Sequence, residues 1–131
     1  MNATIIKPTD SELEILQILW KYGPSTVRFV NETLNKKREV GYTTTLKLMQ
    51  IMTDKVLVLR DTKQRTHIYY SNIQENDVQR GLVKRMINKA FHGSAMELVM
   101  EALGNHQTTP EELKEIKDLI QQLESDSDKK V

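Results

Sequence analysis

The stretch from Val40 to Tyr70 constrains this chain more than any other, because its periodicity changes midway and it turns back on itself without a glycine. The run GYTTTLKLMQIMTDK reads as a helix, with Leu46, Met49 and Met52 recurring at helical spacing and Ile51 and Val56 beside them. The run VLVLRDTKQRTHIYY reads as two strands: Leu57 and Leu59 alternate with Val58 and Arg60, and Ile68 and Tyr70 alternate with His67 and Tyr69. The connection from Asp61 to Gln64 lacks glycine, so a longer or irregular hairpin loop is expected in place of a tight two-residue turn. Three threonines open the helix, although threonine is a weak helix former and one is enough for a cap. Three hydroxyls with Lys47 close behind them read as a polar docking surface, on which Thr43, Thr44 and Lys47 face away from the apolar side.

Two further helices precede this segment. Thr9-Asp10-Ser11-Glu12 matches a capping box, in which threonine and glutamate satisfy each other's free backbone donors. Leu13, Leu16 and Trp20 follow at helical spacing until Tyr22-Gly23-Pro24 stops the helix. Ser25 is the expected N-cap of the next helix, whose buried face is Val27, Val30 and Leu34. It ends in Lys36-Lys37-Arg38, where positive charge suits a helix C-terminus. Three helices and a hairpin in this order make a winged helix-turn-helix. The fold class is therefore mostly α, with an N-terminal winged helix-turn-helix over residues 1–73.

Charge is distributed unevenly along the chain. Residues 1–73 hold eleven Lys/Arg against seven Asp/Glu, whereas residues 74–131 hold eight against eleven. Eight of the basic residues fall within 36–65, where only three acids stand. A basic front half suits a nucleic-acid reader joined to a separate assembly module. The chain has no cysteine, which excludes disulfides, thiolate-bound zinc and thiol catalysis. No apolar run approaches the roughly 18 residues needed to span a bilayer, and no signal-peptide pattern opens the chain, so a cytoplasmic protein without membrane partners is expected. His67, His92 and His106 lack ligand spacing and sit in no catalytic motif. An enzyme is the weakest reading, and neither cofactor nor metal is expected. The six methionines and Trp20 are read as core filler and core anchor.

From Glu75 the pattern becomes wholly helical. Val78, Leu82, Val83, Met86 and Ile87 form one stripe, interrupted at His92-Gly93-Ser94. A short helix with Leu98 and Leu103 follows. Thr109-Pro110-Glu111-Glu112 then supplies a second capping box, with proline at the first helical position. Leu113, Ile116, Ile120 and Leu123 recur at 3-4-3 spacing with Leu119 on the flank, as in a helix seam. Three short helices with narrow apolar stripes cannot close a core alone. Residues 74–124 are therefore read as a helical dimerisation domain that pairs with a second copy, and residues 125–131 as a disordered polar tail.

The chain resembles the bacterial penicillinase and methicillin-resistance repressors (BlaI/MecI) and their copper-responsive relatives. The likeness covers residues 6 to about 124 and rests on TDSELEILQILWKYGPSTVRFV, the threonine-led third helix, the wing with Arg65, and the three-helix C-terminal arm. It implies a homodimeric transcriptional repressor whose winged helix binds a palindromic operator in double-stranded DNA. By position, Thr43, Thr44 and Lys47 fall where the family's recognition helix meets the major groove, and Arg65 falls on the wing arginine near backbone phosphate. Lys36, Lys37, Arg38 and Lys63 are further candidates for sequence-blind phosphate contact. The family usually has glycine after the lysine that ends the third helix; here Val56 follows Lys55. The antibiotic-linked members are cut at an Asn-Phe bond in the penultimate helix, but this chain reads Glu97-Leu98-Val99-Met100-Glu101 there. The cysteine motif of the copper-responsive members is missing too, so the inducing partner, whether protease or sensor, is left open. The alternative reading is a winged helix that binds an acidic protein without sequence-specific DNA binding.

Overall fold

The computed structural model describes residues 7–105 and 107–129, and among them the elements follow the expected order. They are α1 (Asp10–Tyr22), α2 (Val27–Asn35), α3 (Tyr42–Asp54), β1 (Val58–Asp61), β2 (Ile68–Ser71), α4 (Glu75–Ala90), α5 (Ala95–Asn105) and α6 (Pro110–Lys129). The chain divides into two compact units, residues 1–85 and 86–131, and the division falls within α4.

In the first unit, α1 to α3 and the hairpin enclose one core of Ile15, Leu16, Val30, Met49, Met52 and Val58 with their neighbours. The capping box at Thr9 is formed in both directions: the Thr9 amide donates to Glu12 Oε1 (2.9 Å) and the Glu12 amide to Thr9 Oγ1 (3.2 Å). Gly23 ends α1 at φ 83°, a conformation that costs glycine nothing. The N-cap of α2 is Thr26, not Ser25: the Thr26 hydroxyl accepts from the Phe29 amide at 3.1 Å. Ser25 is taken up instead by a bridge to β2, exchanging backbone hydrogen bonds with Tyr69 at 2.9 and 2.8 Å. That tertiary contact outweighs the local capping preference of serine.

The hairpin is antiparallel, with Leu59 opposite Tyr70 and Arg60 opposite Tyr69, and its loop occupies residues 62–67. On the hairpin Leu57 is buried and Leu59 and Ile68 are half-buried. Val58 and Tyr69 are buried, whereas Tyr70 is exposed, because the Ser25 bridge fixes Tyr69 beneath α2. Trp20 packs against the core as expected of an anchor, and it is also a tie: its indole N–H donates to Ser71 Oγ (3.0 Å) and to the Ile73 carbonyl (3.1 Å), fastening the exit of β2 to α1.

α3 ends in a left-handed turn. The Leu57 amide bonds the Met52 carbonyl (2.9 Å) and the Val56 amide the Thr53 carbonyl (3.0 Å), while Val56 itself lies at φ 61°. This is the helix C-terminal motif in which glycine is the usual residue, and it persists here around a β-branched side chain.

In the second unit, Ser94 caps α5 through the Glu97 amide (3.1 Å), and the expected box at Thr109 is formed with Glu112 at 3.0 and 3.1 Å. α5 and α6 contain no buried residue. α6 continues to Lys129, so residues 125–129, expected as tail, are helical; the charge of Lys129 suits that end. Among the described residues no helix is long and apolar enough to cross a membrane.

Candidate nucleic-acid interface

The position of α3 is set by a polar network beneath its N-terminal turn. Asn31 on α2 donates through one amide nitrogen to the Val40 carbonyl (3.0 Å) and to Thr45 Oγ1 (2.9 Å). Asn35 closes the turn in both directions, its amide nitrogen donating to the Val40 carbonyl (2.9 Å) and its oxygen accepting from the Val40 amide (3.1 Å). Thr45 is therefore buried and structural. Only two of the three threonines face outward, so the expected row of three hydroxyls is an exposed pair plus an internal strut.

At its other end α3 is tied to α1. Lys55 Nζ lies 2.7 Å from Glu12 Oε2, and the Glu12 side chain is buried. Burial pushes the Glu12 carboxyl up, but the Lys55 ammonium together with the Thr9 amide and hydroxyl outweighs it and holds the group below the usual carboxylate range.

Between these two anchors Thr43, Thr44 and Lys47 are exposed and line one shallow depression with Ser11, Leu48 and Ile51. The first turn of α1 thus borders the expected recognition face, which puts Ser11 among the candidate contacts. Lys63 and Arg65 are exposed on the wing loop, where the Lys63 amide donates to Asp61 Oδ1 at 2.9 Å. Arg65 shares a groove with Thr26 and Arg28 from α2, Tyr42 and Leu46 from α3, and His67.

The basic cluster after α2 is not gathered onto this face. Arg38 is ion-paired with Glu14 of α1, and Lys37 lines the cleft between α1 and α2 with Glu14, Gln17 and Lys21. Lys36 is exposed. Sequence reasoning missed Arg28 and Tyr42. The available signal was Arg28 itself, a cation in the first turn of a helix, where the macrodipole disfavours positive charge. His92 lies 3.5 Å from Glu97 in the turn before α5, and His106 falls outside the described residues.

Three helices, a hairpin and a solvent-facing third helix define a winged-helix DNA-binding fold. The structure overlays on the solution structure of the DNA binding domain of the repressor BlaI (TM-score 0.50, 24% identity), covering 58% of this chain and 93% of that one. It also overlays on the transcriptional regulator Tm0710 from Thermotoga maritima (TM-score 0.52, 18% identity), covering 93% of this chain and 78% of that one. The family model described as penicillinase repressor matches residues 8–122. This chain belongs to that family, whose members are transcriptional repressors and not enzymes. The penicillinase repressor of Staphylococcus aureus is 24% identical over 110 residues, 84% of this chain and 87% of the relative. The methicillin resistance regulatory protein MecI of Mammaliicoccus sciuri is 21% identical over 112 residues, 86% of this chain and 91% of the relative. The transcriptional regulator BlaI of Mycobacterium tuberculosis is 35% identical over 68 residues, 51% of this chain and 49% of the relative.

Proposed function

We propose that this protein is a cytoplasmic homodimeric repressor that occludes a promoter by binding a palindromic operator through α3 and the wing. The observation that carries this reading is the exposed set Thr43, Thr44 and Lys47 on a helix anchored at both ends, with Lys63 and Arg65 on the adjacent wing loop. A helix held at both ends can present side chains to base edges in fixed register. Lys47 can donate to guanine O6 or N7, and Thr43 and Thr44 can hydrogen-bond bases or meet a thymine methyl. Lys63 and Arg65 neutralise phosphates, which supplies affinity without sequence preference, while Lys36 and Lys37 add positive potential at longer range and Arg38 is largely balanced by Glu14. The unpartnered apolar faces of α5 and α6, carrying Leu98, Leu103, Leu113, Ile116, Leu119, Ile120 and Leu123, support pairing with a second copy, as a two-fold operator requires.

The test is binding of the purified protein to its own promoter region against random duplex of equal length across a salt series. A protected two-fold site preferred by about 10³ or more over random DNA is the expected result. Weak, sequence-indifferent binding lost near physiological salt overturns it and points to an acidic protein partner. Within the operator complex, Lys47→Ala is expected to lose operator preference, whereas Arg65→Ala weakens operator and random DNA alike and flattens the salt dependence.

A further inference from the structure

The groove between α2, α3 and the wing collects cations with nothing to balance them. Arg28 enters from the first turn of α2, Arg65 from the wing loop, and Tyr42 from the first residue of α3, with Thr26 and His67 completing its polar lining. Among the described residues no aspartate or glutamate lines it. Among the described residues neither guanidinium has a carboxylate partner, whereas Arg38 and Lys55 in the same unit do. Bringing two guanidinium groups to one concave surface raises local positive potential and costs folding energy unless an anion occupies the space. The Thr26 hydroxyl already accepts from the Phe29 amide, which leaves its own O–H free to donate, and the Tyr42 phenol is exposed. Two forked cations and two hydroxyl donors, supplied by separate elements, match a tetrahedral oxyanion.

We infer that this groove is a phosphate seat: Arg28 and Arg65, with Tyr42 and Thr26, grip one phosphodiester of the DNA backbone beside the groove that α3 enters. This deepens the operator reading and rests on it. Its consequence is registration. The seat begins on the first residue of α3, so the gripped phosphate sets how far Thr43, Thr44 and Lys47 are offset along the duplex.

The experiment uses the full-length protein on the operator fragment and on random duplex. Arg28→Ala is expected to weaken both by about tenfold and to lower the salt slope by roughly one counterion. Arg28→Lys is expected to keep most of the slope, and because Arg28 is exposed and removing it only relieves charge repulsion, neither variant should melt below wild type. A walk of single neutral methylphosphonates along each strand then locates the seat. One position should weaken the wild-type protein while leaving Arg28→Ala and Arg65→Ala unaffected, and the two substitutions should combine less than additively. An Arg28→Ala variant with the wild-type salt slope, or with an unchanged phosphate profile, overturns the seat. A wild-type protein without operator preference overturns the repressor reading instead, and the effect of Arg28→Ala on random duplex still decides the seat.

Discussion

The winged-helix unit and the C-terminal arm are written in the same helical grammar but reach opposite outcomes. In the first unit, stripes on α1, α2 and α3 meet each other and the hairpin, so Leu16, Val30 and Met49 lose all contact with water. In the arm, α5 and α6 carry stripes of similar spacing, and no residue on either helix is buried. Periodicity states which face of a helix is apolar; it does not state what covers that face. Exposed Met96, Met100, Leu103, Leu113, Ile120 and Leu123 on one arm are more than scattered surface residues explain, which is why the proposed function pairs this face with a second copy.

The contrast breaks most sharply at Ile120. Ile120→Asp is expected to leave the first unit folded but abolish self-association, and the lost avidity lowers operator affinity by about 10²–10⁴-fold. Sedimentation across a concentration series, paired with operator titration, checks both halves. A variant that stays dimeric and binds normally would reassign the seam.

The matching change in the first unit acts through folding instead. Leu16→Ala removes a fully buried side chain and is expected to cost about 2–5 kcal/mol of stability at any protein concentration. Denaturant unfolding at two concentrations a hundredfold apart distinguishes the cases, because a core defect leaves the shift from wild type independent of concentration whereas a seam defect does not.

A smaller effect belongs to the tie between α1 and α3. Lys55→Met leaves the buried Glu12 carboxylate with only its Thr9 donors, and because Lys55 is half exposed the expected cost is about 1–2 kcal/mol. The pH dependence follows from the depressed folded value of Glu12. Its stabilisation is fully present above the ordinary value of 4.5 and is lost as pH falls from there through the lower folded value. Wild-type protein should lose stability over that acid window, and Lys55→Met should lose less of it. Equal acid sensitivity in the two proteins would assign the effect to other carboxylates.

How much of this was legible in the sequence depends on how local each feature is. The boxes at Thr9 and Thr109 span four residues each, so reading the residues was enough to find the helix starts. The hairpin and its long loop were equally local. What failed was anything decided by a distant partner: Ser25 pairs with Tyr69 and so is not the cap of α2, and that pairing also selects the buried face of β2. Thr45 looked like its two neighbours until Asn31 claimed it, and Arg38 looked free until α1 brought Glu14 to it. The phosphate-facing groove draws on three elements, which is why Arg28 and Tyr42 escaped notice while the contiguous Lys36-Lys37-Arg38 run drew attention.

The smallest expected effect tests the end of α3, where sequence and geometry disagree most. The left-handed turn that ends a helix usually carries glycine, and this chain places Val56 there, yet the backbone still adopts φ 61°. The geometry is imposed from both sides: the Leu57 amide is held by Met52 within the helix end, while the Asn72 side chain donates to the Val56 carbonyl at 3.1 Å and the Asn72 amide to the Leu57 carbonyl at 2.9 Å. A β-branched residue in the left-handed region carries about 1–2 kcal/mol of strain, and its side chain recovers little because it is 53% exposed. Glycine removes the strain but enlarges the entropy of the unfolded chain, which returns roughly 0.5–1 kcal/mol. Val56→Gly should therefore stabilise the first unit by about 0.5–1 kcal/mol without altering DNA affinity. Val56→Ala, which keeps a Cβ in the same conformation, should recover less. A Val56→Gly variant that melts lower than wild type would mean that contacts of the valine side chain outweigh the strain of its backbone.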